Sequence, residues 1–438
     1  MKNMKPSKLY RLEIAPLVIL PLARSPFFSY LSVAPVALGS YVKIPFGKRT
    51  IEGVVFDCAP LPGPAPAWIK FVGATIEDAF LTKEQSALAE YISEEYFTPL
   101  GKTLRHFLPQ RTQPRKKRGL LPPQNIQILR PTKEETGILK SFATLPKKVP
   151  GFIDVFSVEN PHRLLAHLAK KIMASKRQAL FLVPEMTLLP ELAQAFLRYF
   201  PLEKIVVLSS QLAAGPYFEA WEKIRSGEAG IILATRQGLF APFQNLGLVT
   251  LLEEQDESYK QWDMSPRYES KRVAGELASL HHAPLLLASG TPSSESRYRL
   301  QTGEYLPLAA SKATLAPGSS LEIVNLRLER FRKNYSPLSQ ALIDAIRIAL
   351  SEQQQILLYV HRQGMQAFSV CKHCKNIFRC PASGHALTSA ADGTFRCLAC
   401  PYKTGFFPSC PSCGHLTFRH VGYAPEPVRR EPLTPSPP

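Results

Sequence analysis

A chain of 438 residues, 45% of them hydrophobic, has room for roughly two to four domains with buried cores. Its formal net charge of +18 points to a polyanionic partner, most often nucleic acid, and is silent about the fold. Apolar runs are interrupted within about ten residues, too short to span a bilayer. The N-terminus sets basic residues ahead of an apolar patch, but Glu13, Pro16, Pro21 and Arg24 break it and no small-residue cleavage site follows. A cytoplasmic protein is expected.

In chain order, Tyr10–Cys58 reads as strands. The segments from Tyr41 and from Thr50 alternate or run apolar and are joined by the turn-like Gly47-Lys48-Arg49, which suits a small β-barrel or sheet. Ala59–Ala67 is a proline-rich loop. Thr82 and Gln85 form a capping box, and the apolar spacing after them predicts a helix to about Tyr96. Arg111–Arg118 carries five basic residues in eight and is either a solvated linker or a phosphate-contacting arm.

From Phe152 apolar strands alternate with helices: Phe152–Phe156, Ala179–Val183, Ile205–Leu208, Gly230–Ala234, Gly247–Leu252 and Pro284–Ser289 predict a parallel α/β sheet. A shorter unit begins near Leu321. There Ser336-Pro337 is expected to start a helix to about Glu352, with Gln355–Val360 as a strand. The tail from Ala424 is rich in proline and charge and is expected to be disordered.

Seven of the eight cysteines fall between Cys371 and Cys413. Cys371/Cys374, Cys397/Cys400 and Cys410/Cys413 are Cys-x-x-Cys pairs, and Cys380 is half of a fourth. Such pairs grip tetrahedral zinc. A disulfide framework is the alternative, disfavoured in a chain otherwise nearly free of cysteine.

The segments LVPEMTLLPEL, ATRQGLFAPFQNLGLV, EEQDESYKQWDMSPRYESKRVA and ASGTPSSES resemble the helicase-type motifs of the primosomal protein N′ (PriA) family. The segment from Pro26 to Val55 resembles that family's 3′ DNA-binding domain. The similarity runs in order over about residues 10–422. It implies a multidomain α/β protein: a β-rich 3′ DNA-binding-like domain at 1–110 and a basic, proline-containing linker at 111–150. A RecA-like lobe at 151–315, the start of a second lobe at 316–370, a zinc-binding region at 371–423 and the tail at 424–438 follow.

The resemblance also places functional residues. Phe28, Gly39 and Lys70 fall at DNA-contact positions, with Ser29 where the family usually has Asp. Tyr259, Trp262 and Tyr268 interleave with Lys260, Arg267, Lys271 and Arg272, a pattern suited to base stacking and phosphate contact, in a loop that in the family couples DNA to ATP hydrolysis; Arg236 is a further DNA-binding candidate. The family's metal topology would join Cys371, Cys374, Cys410 and Cys413 in one zinc site and Cys380, Cys397 and Cys400 in another. There Ser383 stands for a missing cysteine, and His385 is the candidate fourth ligand. Two zinc ions are expected, with His373 and His415 as exposed polar residues.

The ATP site departs from the pattern. A phosphate loop needs glycines, Lys and Ser/Thr, but Phe156–Leu165 has no glycine, and Asn160-Pro161 reads as a plain helix start. Gly101-Lys102-Thr103 is an accidental partial match. Leu252 replaces the Asp that would act on Mg²⁺, which leaves Glu253 and Glu254 vestigial. The sequence also ends before the remaining second-lobe motifs. The leading expectation is a cytoplasmic, nucleoid-associated replication restart protein without helicase activity. Its partners would be branched and single-stranded DNA, primosome proteins and a replicative helicase loader. The alternatives are an active ATP-dependent helicase and a zinc-ribbon adaptor between proteins.

Overall fold

The computed structural model describes residues 9–21, 25–109, 130–209, 212–309, 320–331, 333, 334, 336, 338–359, 368–389, 394–397, 400–405 and 409–421. The basic run Arg111–Arg118 and the tail from Ala424 lie outside the described residues. The chain forms two compact units, Met1–Thr314 and Leu315–Pro438. Among the described residues, no helix is long and apolar enough to cross a membrane.

The first unit opens with β1 (Tyr10–Pro16), β2 (Phe28–Ser32), β3 (Tyr41–Phe46), β4 (Arg49–Pro60) and β5 (Thr75–Glu77), in the sheet order β2-β1-β4-β3-β5. Alternation sets the faces: Val42 and Ile44 are buried while Lys43 between them is exposed. The stretch before β5 closes the sheet. Leu31 N–H donates to the Lys70 carbonyl at 2.9 Å and Val72 N–H to that of Leu31 at 2.8 Å, while Gly73 N–H reaches Lys43 on the other edge at 2.8 Å. The expected small barrel is therefore closed, with both edge strands covered.

Gly39 has a φ of +76°, and a Cβ there would lie 2.0 Å from the Leu81 carbonyl oxygen. Gly39→Ala is thus expected to destabilise the protein by on the order of 2 kcal/mol, read as a fall of several degrees in Tm. An unchanged Tm would show that the Leu81 segment yields without cost.

Helix α1 (Lys83–Glu95) starts at the expected capping box, with Thr82 and Gln85 each capping the other's backbone, and ends at Tyr96. The short α2 (Leu100–Leu104) holds Gly101 against the backbone of Pro16 and Val18. Gly101 is therefore a packing residue.

After α3 (Lys133–Ala143) comes the α/β lobe: β6 (Gly151–Asp154), α4 (Pro161–Ala174), β7 (Gln178–Leu182), α5 (Leu189–Leu197), β8 (Ile205–Leu208), α6 (Ala214–Arg225) and β9 (Ile231–Ala234). It continues through β10 (Leu246–Leu252), α7 (Ser270–Leu280), β11 (Leu285–Ser289), α8 (Ser294–Thr302) and β12 (Leu306–Pro307). The strand order is β12-β6-β11-β10-β7-β9-β8, and all neighbours are parallel. Helices cover both faces, so the central strands are mainly apolar, with Gln178, Thr250 and Ser289 as buried polar exceptions. Each of the six expected strands appears, shifted by at most two residues.

Barrel and lobe pack as one unit. Phe80 stacks on Trp221 at 4.7 Å, Arg225 pairs with Glu77 at 2.7 Å, and the Gln85 amide donates to the Phe240 carbonyl at 2.8 Å.

In the second unit, α9 (Leu326–Phe331) and α10 (Gln340–Ser351) precede the cysteine region. The expected cap at Ser336 is corrected. Ser339 caps α10, accepting from Leu342 N–H at 3.1 Å, because the Ser336 hydroxyl is spent on a turn with Leu338 N–H at 2.9 Å. Gln355–Tyr359, expected as part of a strand, is exposed and is not assigned to a strand; Val360 lies outside the described residues. The cysteine region carries a pair, β13 (Phe368–Cys371) with β17 (Phe418–Val421). It also holds a small sheet of β14 (Thr388–Ser389), β15 (Phe395–Arg396) and β16 (Lys403–Thr404).

Candidate metal centres and nucleic-acid interface

The cysteines gather into two groups, Cys371/Cys374/Cys410/Cys413 and Cys380/Cys397/Cys400, the sulfurs in each lying within 4.8 Å of one another. Paired Sγ atoms are 3.6 Å apart for Cys371–Cys413 and for Cys374–Cys410, and 3.5 Å for Cys380–Cys400. A disulfide needs about 2.05 Å. Tetrahedral zinc with bonds of about 2.3 Å sets sulfurs about 3.8 Å apart, so these side chains fit a zinc ion.

Three tight knuckles supply five of the seven cysteines, all but Cys397 and Cys400. In each, the residue four beyond the first cysteine donates its N–H to that cysteine's carbonyl: Lys375 to Cys371 at 3.1 Å, Gly384 to Cys380 at 2.9 Å, Gly414 to Cys410 at 2.8 Å. All three donors have positive φ. Burial resists ionisation of Cys380, but hydrogen bonds from Ser383 and the Ala382 backbone outweigh it and bring the thiol down to about 7. His385, the expected fourth ligand, is not in the second group. It is exposed, with Nδ1 at 3.0 Å from the Ser383 carbonyl oxygen. His373 and His415 stack on each other at 5.1 Å beside the first group.

At one end of the barrel, Phe28 is half-buried, edge-on to Phe46 at 5.2 Å. The Ser29 hydroxyl donates to Glu13 at 2.7 Å, which places a carboxylate beside it from the neighbouring strand. Lys70 is exposed and reaches the Gly47 carbonyl at 3.4 Å, next to the exposed Lys48 and Arg49. Trp68 and Phe71, which sequence reasoning passed over, flank Lys70 and are 76% and 51% exposed. An aromatic in a loop carries no periodic signal, so nothing in the sequence separated Trp68 from a core residue. Gly39, by contrast, is buried, and its close approach is to Leu81 within the protein.

The aromatic–cation region of the lobe requires a correction. Tyr259 is 1% and Tyr268 4% exposed, so neither presents a ring for stacking. Tyr259 donates its hydroxyl to the carbonyls of Leu182 and Leu252 at 2.9 and 2.7 Å, bolting the loop to two strand ends. Burial, then the nearby acids Asp256, Glu253 and Glu254, pushes its phenol well above the ordinary value, so it stays a donor. Tyr268 lies edge-on to Phe240 at 5.4 Å. Arg236 donates to the carbonyls of Ser258 and Lys260 at 2.7 and 3.0 Å and thereby shapes the loop. Trp262 remains presented, 65% exposed with Lys260 5.9 Å over its ring, and Arg267 is exposed nearby in sequence.

At the C-terminal ends of β6, β10 and β11, where open α/β sheets hold ligands, there is a cavity of about 150 Å³. Ile153, Val155, Leu164, Leu165, Leu252 and Ala288 line it, joined by Pro161, His162 and Glu253. As expected, Asn160 caps α4, accepting Arg163 N–H at 2.9 Å with Pro161 in the first turn. Glu253 accepts from the Gln255 amide at 2.9 Å. Glu254 is buried and takes Lys271 at 2.8 Å, Ser293 N–H at 2.8 Å and the Ser293 hydroxyl at 3.1 Å.

This architecture defines a class: a small closed barrel packed against a parallel α/β lobe, with a cysteine-rich region later in the chain whose two groups could hold metal. A family model for the 3′ DNA-binding domain of PriA matches residues 17–109. The chain is 28% identical to the replication restart protein PriA of Rickettsia felis over 401 residues, 90% of this chain and 61% of the relative. It is 30% identical to the Bacillus subtilis protein over 264 residues, 60% of this chain and 32% of that one. With the Haemophilus influenzae protein it shares 34% identity over 257 residues, 58% and 34% of the two chains. Residues 17–109 thus carry the 3′ DNA-binding domain of PriA, and the chain as a whole is similar to replication restart proteins PriA, matching about three fifths of the Rickettsia protein's length and about a third of the other two.

Proposed function

We propose that this protein recognises branched DNA with a nearby single-stranded region and supports replication restart at such forks, without an ATP-driven motor of its own. In this reading residues 1–110 read DNA, 111–150 link, and 151–315 form a lobe that no longer turns over nucleotide. Residues 316–370 begin a second lobe, and 371–423 hold two zinc ions. Primosome proteins and a helicase loader would be its partners, at the nucleoid.

The observation that carries this is a contrast between surfaces. Trp68, Phe71 and Lys70 at the barrel end, and Trp262 beside the half-buried Lys260 in the lobe, support contact with a strand of bases and phosphates. The strand-end cavity of the lobe is small and apolar, about 150 Å³, against roughly 300–1,000 Å³ for ligand pockets in general. Asn160 caps the helix whose N-terminus would otherwise face phosphate.

Base stacking is worth roughly 1–3 kcal/mol per base, so Trp68→Ala and Trp262→Ala should each weaken binding to a fork with a single-stranded arm by about tenfold. Lys70→Ala should weaken binding to forks carrying a strand end more than binding to plain duplex. Anisotropy titration of the three variants checks this, and unchanged affinities for all of them would defeat the recognition reading. Elemental analysis should find two zinc ions per chain, and a value below one would remove zinc from the account.

A further inference from the structure

We propose that the second cysteine group is a three-thiolate centre whose fourth corner, occupied by the Ser383 hydroxyl, is an exchangeable position that admits an external thiolate. The inference rests on the reading that the cysteines hold zinc.

The backbone supplies the argument. Cys380-Pro-Ala-Ser383-Gly384 closes the same knuckle as Cys371–Lys375 and Cys410–Gly414, down to the turn hydrogen bond and the positive φ at its end. In the other two knuckles the fourth residue is the second cysteine; here it is Ser383. Its Oγ is 3.2 Å from Cys397 Sγ, while Cys380 and Cys400 sulfurs are 3.5 Å apart. Ser383 thus stands where a fourth thiolate would.

His385 takes a different place. Its carbonyl accepts Cys380 N–H at 2.7 Å, as the carbonyls of Asn376 and His415 accept from Cys371 and Cys410 at 3.0 and 2.8 Å. That position in the knuckle serves the backbone and leaves the side chain outside, and the exposed His385 ring follows it.

A neutral hydroxyl binds zinc poorly beside thiolates, and centres with three protein ligands keep an open position. Zinc prefers soft donors where they are offered. Pro381, Ala382 and Gly384 around the half-buried Ser383 are exposed, so the backbone that carries this corner lies at the surface. A free thiol or the cysteine of a docking protein would complete the tetrahedron by donating its sulfur lone pair after losing its proton to solvent.

The test uses the full chain, first shown by elemental analysis to carry two zinc ions, so that a failure of the zinc reading is seen separately. A competing chelator should remove one ion quickly and the other slowly. Ser383→Cys should slow the fast release by about tenfold or more, Ser383→Ala should leave it fast, and His385→Ala should change nothing. In the cobalt-substituted protein, N-acetylcysteine should alter the thiolate-to-metal bands of the native chain but not of Ser383→Cys. A response to a cysteine-bearing peptide at lower concentration than N-acetylcysteine would assign the source to a protein donor, equal responses would assign it to free thiols, and no response to either would overturn the proposal. Release of both ions at one rate in every variant, or loss of one ion in His385→Ala, overturns the proposal.

Discussion

Lys271→Met should destabilise the protein by about 3 kcal/mol, lowering Tm by roughly 6–12 °C. Glu254 is fully buried at the end of β10, and Lys271 on α7 is its only cationic partner among the described residues, at 2.8 Å. Both also meet Ser293, ahead of α8. Removing the ammonium leaves a carboxylate out of water with two neutral donors to balance it, and the cost of an unpaired buried charge dominates. Adding Glu254→Gln should recover most of the loss, because the neutral amide can still accept from Ser293 N–H. A double-mutant cycle by thermal melting measures the coupling. If Lys271→Met alone shifts stability by under about 0.5 kcal/mol, Glu254 is not the ionic tie between strand, helix and loop described here.

Fork binding should weaken several-hundredfold as salt rises. In the proposed reading, Lys48, Arg49 and Lys70 at the barrel end, with Lys260 and Arg267 in the lobe, would make five phosphate contacts. Each contact releases close to one counterion, giving a slope of about −4.5 in log affinity against log salt, so a fourfold increase in salt costs roughly 500-fold. Lys70→Ala should reduce that slope by about one. A slope near zero would place the binding energy in stacking alone.

Periodic and covalent patterns were legible in the sequence. The apolar strands of the lobe, the Thr82–Gln85 capping box, the Asn160-Pro161 helix start and the paired cysteines all depend on local spacing, and each appears close to its expected place. What spacing could not tell was which aromatics face water. Tyr259, Trp262 and Tyr268 look alike in sequence, yet the polar ends of two strands claim Tyr259, the Phe240 ring claims Tyr268, and Trp262 alone of the three stays exposed. Arg236 likewise reads as a DNA contact until its guanidinium is seen holding loop carbonyls. His385 was misplaced for a related reason: proximity in sequence to three cysteines says nothing of a knuckle that turns its ring outward.

The second unit was the least legible. Ser336-Pro337 has the composition of a helix start, but a turn at Ser336 moves the cap to Ser339. Such competition between two serines a turn apart is decided by tertiary partners, here Glu329, whose carboxylate receives Gln340 N–H at 2.8 Å.

The most direct test is a paired titration of one preparation, first with labelled ATP and Mg²⁺ and then with a fork DNA bearing a single-stranded arm, with phosphate release followed in the presence of that DNA. Saturable fork binding, no saturable ATP binding and phosphate release at background are expected. Phosphate release stimulated by the fork and abolished by Glu253→Gln would contradict this, since the small apolar cavity beside Glu253 would then have to house a working phosphoryl-transfer site.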